Sequence, residues 1–209
     1  MQNLAGNWQK ILRPYRVDPA LAQELFAEIT RRYSEPGRFY HTLTHIGHVL
    51  QTIETLDHYL ENSGPVRLAA WYHDAIYDTH AGDNEEKSAG VAESHLNKLK
   101  VPAGVVAETA RLILMTKRHQ APPDDRAAQV FLDADLAILG APPAQYREYA
   151  AAIRQEYGWV EETVYRTKRR KVLESFLERP HLFVTTELFE RLETMARLNI
   201  AAEIETLAL

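Results

Sequence analysis

Apolar residues recur at every third or fourth position along most of the chain, with polar residues between them. This spacing places the apolar side chains on one face of an α-helix. Leu21, Leu25 and Ile29 form one such stripe, and Asp18 followed by Pro19 is a typical helix start in front of it. Helices are predicted over residues of about 19–33, 42–61, 65–77, 83–99, 102–118, 127–139, 143–156, 161–177 and 186–207.

The breaks between these segments carry glycine, proline and short polar residues, which end helices. Asp83 and Glu86 have the spacing of a capping box, in which each side chain bonds a free amide at the helix start. The chain has 209 residues, which is the length of one domain by the usual range of about 100–200. We therefore predict a single all-α domain over 1–209, in which the connection at 140–143 leads to a C-terminal helical extension, about 142–209, packed on the rest.

Composition and charge narrow the class of function. The chain contains no cysteine, which excludes a disulfide scaffold, a thiol nucleophile and a cysteine-ligated metal site. The formal charge of −5 argues against a nucleic-acid binder. No stretch approaches the roughly 18 apolar residues of a membrane span, and residues 1–10 lack the pattern of a signal peptide. We therefore expect a cytoplasmic protein with neither a nucleic-acid nor a membrane partner.

Polar residues interrupt three of the apolar helices. His45 lies beside the apolar stripe of its helix, with histidines four residues before it and three after it on the same face. His73 and Asp74 lie together in the next helix, and Asp133 and Asp135 interrupt a later one. Buried imidazoles and carboxylates cost free energy unless they are paired or bound to metal. Two imidazoles and two carboxylates form a ligand set for a divalent ion such as Mn²⁺, Fe²⁺, Co²⁺, Ni²⁺ or Zn²⁺. Mg²⁺ is a further candidate ion.

The order of these residues resembles that of a known family. Residues 38–46 read RFYHTLTHI, residues 70–78 read AWYHDAIYD, and residues 83–89 read DNEEKSA. This pattern is similar to that of an uncharacterised branch of the HD-domain superfamily of metal-dependent phosphohydrolases, in which a histidine, a His-Asp pair and a later aspartate occur in this order. Further segments that resemble the branch lie at residues 146–157, 169–177 and 193–199.

The resemblance implies an HD-domain helical bundle with additional C-terminal helices. It implies that His45, His73, Asp74 and a late aspartate hold a divalent metal ion. Asp135 is preferred as the late ligand because it follows an alanine, as in the family pattern, and Asp133 stays an alternative. The implied activity is hydrolysis of a small phosphorylated compound, whether a nucleotide, a phosphomonoester or a pyrophosphate-type bond, by water that the metal activates.

Relatives carry an acid four or five residues after the histidine of the His-Asp pair. The resemblance therefore makes Asp78 the candidate general acid or base, beside Asp74 in the catalytic set. Four residues along a continuing helix would put the two carboxylates on the same face.

Six residues are candidate contacts of an anionic substrate, because they are cationic or imidazole side chains in or near the motifs: Arg38, His41, Lys87, His119, Arg154 and Arg169. His119 could instead stabilise the dipole at a helix C-terminus or act as a fifth metal ligand. The histidines predicted to lie on the surface are His58, His80, His95 and His181.

The sequence is also compatible with two other functions. It is compatible with a homodimer as well. One is a non-catalytic sensor that binds a metal ion and a nucleotide. The other is an iron-dependent oxygenase, since the HD scaffold also hosts di-iron oxygenases. That reaction needs extra histidines, and His119 is the one well-placed candidate.

Overall fold

The computed structural model describes residues 3–208, and within them the chain is all-α, as predicted. The described residues contain ten α-helices and no strand. The helices are α1 (Leu4–Leu12), α2 (Pro19–Arg32), α3 (Leu43–Thr55), α4 (Gly64–Tyr72), α5 (Asn84–Lys98), α6 (Ala103–Met115), α7 (Arg126–Leu136), α8 (Pro143–Glu156), α9 (Glu162–Leu177) and α10 (Thr186–Leu207). No helix in this part of the chain combines the length and the apolar character needed to cross a membrane.

Most predicted helices are confirmed, and the predicted bounds of α8 and α10 match the observed ones. The cap at Asp18 is also confirmed, since its Oδ1 accepts a hydrogen bond of 2.8 Å from the amide of Leu21. Helix α1 was not predicted. Its buried residues Trp8, Ile11 and Leu12 have helical spacing, so the signal was present but short.

The chain divides into two compact units, and the border lies between Ala134 and Asp135, inside α7. The prediction placed the border later, at 140–143. That segment is held within the second unit, because the Asn199 side-chain amide donates to the carbonyls of Leu139 and Ala141 at 2.9 and 2.8 Å. Gly140 also packs closely there, since a Cβ on it would lie 2.5 Å from the Cβ of Leu192. The description of 1–209 as one domain stays a prediction.

In the first unit, α4 is the central helix. Its residues from Pro65 to Tyr72 are all buried, and it packs against α1, α3, α5 and α6. A helix that is buried on every side belongs in the middle of a core. Trp8 of α1 lies against Trp71 and Tyr72 of α4, with ring centroids 5.4 and 6.1 Å apart. The C-terminus of α4 is therefore held firmly in the core, and it carries His73 as its C-cap.

In the second unit, α10 packs against α8, α9 and the 3₁₀ turn at Ala137–Gly140. A buried ion pair joins α9 to α10, since Arg169 Nε lies 2.7 Å from Glu203 Oε1 and both side chains are about nine-tenths buried. The Tyr146 hydroxyl of α8 donates to the same glutamate at 2.6 Å. Polar groups buried in this way are satisfied by one another, so the cluster holds the three helices together.

Candidate metal centre

Three of the predicted ligands come together in space. His45 in the first turns of α3, His73 at the end of α4 and Asp135 near the end of α7 each offer one ligand atom, and these atoms all lie within 4.8 Å of one another. Both histidines are buried and the aspartate is partly buried.

The two histidines face each other through their Nε2 atoms, which lie 3.1 Å apart. The other ring nitrogen of His73, Nδ1, lies 3.1 Å from the carbonyl oxygen of Ala70. A carbonyl oxygen only accepts hydrogen bonds, so Nδ1 carries a proton, and in the neutral form of the ring the lone pair is on Nε2. An Nδ1–H that bonds a backbone carbonyl is the usual orientation of a metal-binding histidine.

Asp74 brings a carboxylate to the same point. Its Oδ2 lies 3.0 Å from Nε2 of His73 and 3.8 Å from Nε2 of His45. A carboxylate oxygen and an unprotonated ring nitrogen repel each other at 3.0 Å unless a cation or a proton lies between them. Asp74 is outside the three-residue group, yet its oxygen approaches both histidines of that group.

The two late aspartates differ in position. Asp135 belongs to the group with His45 and His73, and Asp133 does not. The side chain of Asp133 is buried, with 2% of its surface exposed. Residues two positions apart on a helix project in directions about 200° apart, so only one of these two aspartates can face the histidines. The structure therefore brings Asp135, the preferred candidate, to this centre.

His41 lies at the partly exposed edge of the centre. Its Nε2 is 4.0 Å from Oδ2 of Asp74, and 18% of its side chain is exposed. Its ring stacks on that of Tyr77 at a centroid distance of 4.0 Å, and Tyr40 lies edge-on at 5.0 Å. The two tyrosines form an aromatic wall that the sequence analysis missed, although both fall inside the quoted motifs.

Arg38 has a different role from the one predicted for it. Its Nη1 donates to the carbonyls of His41 and Asp74 at 3.1 and 2.7 Å, and its Nη2 donates to the carbonyl of Ala75 at 3.2 Å. The side chain is almost fully buried. Because these donors are taken by backbone carbonyls, Arg38 is not available to bind a substrate anion. It positions His41 and Asp74 instead.

The prediction of a helix that continues through Tyr77 is wrong. Helix α4 ends at Tyr72, and a turn follows. Asp78 is therefore not one helical turn beyond Asp74. Its Oδ1 accepts a hydrogen bond of 2.9 Å from the amide of His80 and lies 3.2 Å from the ring nitrogen Nδ1 of that residue. The backbone hydrogen bond from His80 lowers the pKa of this exposed carboxyl. The spacing argument that made Asp78 a general acid or base no longer holds.

We expect Asp78→Asn to keep metal occupancy and to change turnover less than about tenfold, well below the range of about 10²–10⁴-fold for a general acid or base. The amide oxygen of asparagine can still accept the hydrogen bond from the amide of His80. The measurement is the metal content and the kcat of the purified variant on whichever substrate the wild-type chain hydrolyses. A loss of a hundredfold or more would return Asp78 to the catalytic set.

The DNEEKSA segment holds the turn that follows the His-Asp pair. The Asn84 side chain accepts from the amide of Asp78 at 3.1 Å and donates to its carbonyl at 2.9 Å. The buried Ser88 hydroxyl accepts from the amide of Ile76 at 3.0 Å and donates to its carbonyl at 3.2 Å. These four bonds replace the helical bonds that α4 would have made had it continued.

The predicted capping box in this segment is wrong. Asp83 makes no side-chain cap to the first turn of α5, and its carboxylate pairs with Lys87 at 2.8 Å. Glu86 pairs instead with Lys117, which also donates to the carbonyl of Gly82 at 3.1 Å. Lys87, a predicted substrate contact, is therefore an exposed side chain with an acidic partner on its own helix.

Ser88→Ala is expected to destabilise the fold by about 1–3 kcal/mol, because the partly buried amide of Ile76 loses its acceptor. Chemical denaturation, followed by circular dichroism, measures this difference. Ser175→Ala is the matched control, since Ser175 is exposed and bonds only a carbonyl of its own helix. Equal unfolding free energies for the two variants would contradict the role assigned to Ser88.

The three remaining candidate contacts of a substrate do not belong to the ligand group of the candidate metal centre. Arg154 bonds Glu162 and the carbonyls of Tyr157 and Val160, so it holds the loop between α8 and α9. Arg169 is used in its buried pair with Glu203. These arginines are thus part of the packing of the second unit. His119 lies just after α6 with a φ of 46°, and it is not a member of the three-residue group.

His95 was predicted to lie on the surface, and this is wrong. It is 4% exposed, with Nδ1 3.3 Å from the Tyr72 hydroxyl and Nε2 3.4 Å from Oε2 of Glu28. Burial lowers the pKa of this imidazole, which favours its neutral form. Helical spacing from the buried Ser88 and Ala92 was the signal that could have found it.

No protein-family model, curated protein or solved structure matches this chain. The resemblance to HD-domain phosphohydrolases therefore stays a hypothesis that depends on the motif residues. The assignment of a chemical activity depends on the geometry of the centre.

Proposed function

We propose that this protein is a divalent-metal-dependent hydrolase of small phosphorylated compounds, with its metal at His45, His73, Asp74 and Asp135. The observation that carries the proposal is the convergence of acceptor atoms. The Nε2 atom of His73 lies 3.1 Å from Nε2 of His45 and 3.0 Å from Oδ2 of Asp74. Two ligand atoms at right angles on one ion, each about 2.1 Å from it, lie about 3.0 Å apart. The spacing of these atoms fits that arrangement.

The chemistry of the donor set also fits a divalent transition metal. Imidazole nitrogen suits Mn²⁺, Fe²⁺, Co²⁺, Ni²⁺ and Zn²⁺, whereas Mg²⁺ prefers oxygen and retained water, so Mg²⁺ is the weakest candidate. Two carboxylates offset the charge of the ion. When bound, a divalent ion supplies Lewis-acid polarisation of a phosphoryl oxygen and acidifies water.

The chain's own residues divide the remaining work. His41 is partly exposed beside Asp74, and its ring is held in place by Tyr77. An imidazole held there can donate a hydrogen bond to a phosphoryl oxygen or exchange a proton with the leaving oxygen. Arg38 fixes the backbone of His41 and Asp74 relative to each other, so their side chains keep one geometry during a reaction.

The test uses the full chain purified without chelator. Bound metal is measured by plasma mass spectrometry, and a panel of nucleotides, phosphomonoesters and pyrophosphates is screened with added Mn²⁺, Co²⁺, Ni²⁺, Zn²⁺ and Mg²⁺. We expect a divalent metal near one equivalent and hydrolysis of at least one class of ester. The activity should be lost in His73→Ala and kept in His181→Ala, a matched control at an exposed histidine. Bound metal without turnover on any member of the panel would contradict the hydrolase and favour a metal-dependent sensor.

A further inference from the structure

An open cavity of about 430 Å³ lies on the surface of the first unit, and none of its lining residues is a proposed metal ligand. Its walls come from α2, from the turn after α4 and from α5. Its volume is within the range of about 300–1,000 Å³ typical of small-molecule sites. Its polar lining residues include Glu28, Arg32, Lys87, Ser94, His95 and Lys98.

The lining carries an excess of positive charge. Arg32, Lys87 and Lys98 supply three cations, and Glu28 supplies one carboxylate. His95 adds no charge near neutral pH, because burial lowers its pKa. The formal charge of the lining residues is therefore +2, of which the pairing of Lys87 with Asp83 offsets one, in a chain whose formal charge is −5. A pocket with this charge attracts anions, and most strongly those with two negative charges.

The three cations are not equally engaged. Arg32 Nη2 pairs with Oε1 of Glu28 at 2.8 Å, and Lys87 pairs with Asp83 at 2.8 Å. Lys98 forms no ion pair with the described part of the chain, and it is exposed at the C-terminal end of α5. Lys98 and the remaining Nη donors of the Arg32 guanidinium can therefore bond an incoming anion, whereas Arg32 Nε is buried.

One wall of the cavity is kept open by a glycine inside a helix. Gly90 lies in the middle of α5, where glycine is destabilising relative to alanine. A Cβ added at Gly90 would meet no atom within 4 Å, so no packing contact requires a glycine there. The missing side chain leaves space in the cavity, beside the apolar residues Ile76 and Val91.

We propose that this cavity is a binding site for a small phosphomonoester dianion, separate from the candidate metal centre. The phosphate group lies against Arg32 and Lys98, since a guanidinium fork and an ammonium group suit its oxygen atoms. The organic part of the ligand lies over Gly90, against Ile76 and Val91. This site does not depend on the proposed hydrolysis, and its occupancy does not require a metal ion.

Binding is tested on the full-length, as-purified protein labelled with ¹⁵N, by titration with phenylphosphonate. Its phosphorus–carbon bond resists phosphatase chemistry, so turnover at the metal centre does not consume the probe. We expect saturable chemical-shift changes at the amides of Ile76, Gly90 and Ser94. Benzyl alcohol, which has the ring without the charge, should give none. Changes confined to residues around His45 and His73 would overturn the proposal, and so would equal responses to the two probes.

Two variants with matched controls complete the test. Gly90→Leu places a side chain in the cavity from a position where its Cβ meets no atom within 4 Å, and it should abolish binding. Gly104→Leu, at another open and exposed helical glycine, should bind like wild type. Lys98→Glu should weaken binding about tenfold or more, as expected for loss of a hydrogen bond to a charged group. Lys168→Glu changes the net charge equally on the second unit and should have little effect. Unchanged affinity in Gly90→Leu or in Lys98→Glu would overturn the assignment. A chain that binds phenylphosphonate here but hydrolyses no ester would keep this site and lose only the proposed function.

Discussion

His73→Ala is expected to purify with less than about a tenth of the wild-type metal content. Mutation of a residue that only hydrogen-bonds to a metal ligand already lowers metal affinity about 10–100-fold, and the loss of a ligand itself lowers it more. His73 lies close to two other proposed ligands, since its Nε2 is 3.1 Å from Nε2 of His45 and 3.0 Å from Oδ2 of Asp74. Metal content after gel filtration measures the effect directly.

The same variant should also lose thermal stability. An ion present at a hundredfold excess over its dissociation constant stabilises the native state by about 2.7 kcal/mol, or about 5–10 °C in a chain of this size. Wild type with chelator should therefore melt near the temperature of His73→Ala, and the variant should not respond to chelator. Asp74→Asn offers a second route to the same result with a smaller change in packing. Full metal occupancy in both variants would disprove the site.

The second large effect that we expect is a difference in metal affinity between variants of the two aspartates of α7. Asp135→Asn is expected to lower metal affinity by more than about tenfold, since an amide oxygen is a neutral and weaker ligand than a carboxylate. Asp133→Asn should keep the metal, because Asp133 lies outside the group that His45, His73 and Asp135 form. Asp133 is deeply buried, so we expect its variant to lose stability instead.

The two outcomes are distinguished by measuring metal content and melting temperature on each variant. Crystals soaked in Mn²⁺ provide a further check, since the anomalous signal should lie beside Asp135. A signal beside Asp133, or loss of metal in Asp133→Asn alone, would reverse the assignment. The result bears on both the hydrolase and the sensor, because each needs the metal.

The sequence alone was enough to predict nine of the ten described helices and the three residues that come together in the candidate metal centre. Helical periodicity and start signals act over a few neighbouring residues, so Asp18 with Pro19 and the bounds of α8 and α10 could be predicted from local spacing. Imidazoles and carboxylates inside apolar helices likewise indicated His45, His73 and the pair Asp133 and Asp135, since buried polar groups need a partner, and the family resemblance favoured Asp135.

Contacts between residues far apart in the chain decided the rest. Arg38 takes the carbonyls of Asp74 and Ala75, and Ser88 takes the amide and carbonyl of Ile76, so α4 ends at Tyr72 although local propensity favoured continuation. No local pattern encodes these partners, which lie 12 to 37 residues apart in sequence.

Contacts between distant residues also give different roles to charged residues that are alike in sequence. Arg38, Arg154 and Arg169 are predicted from the sequence to contact a substrate anion, but their donors bond carbonyls and carboxylates of the folded chain. Arg32 and Lys98 carried no motif, and tertiary packing placed them at one cavity beside Gly90. Sequence specifies which groups can bind an anion, whereas the fold determines which of them still have a free donor, because each hydrogen bond made within the protein removes one.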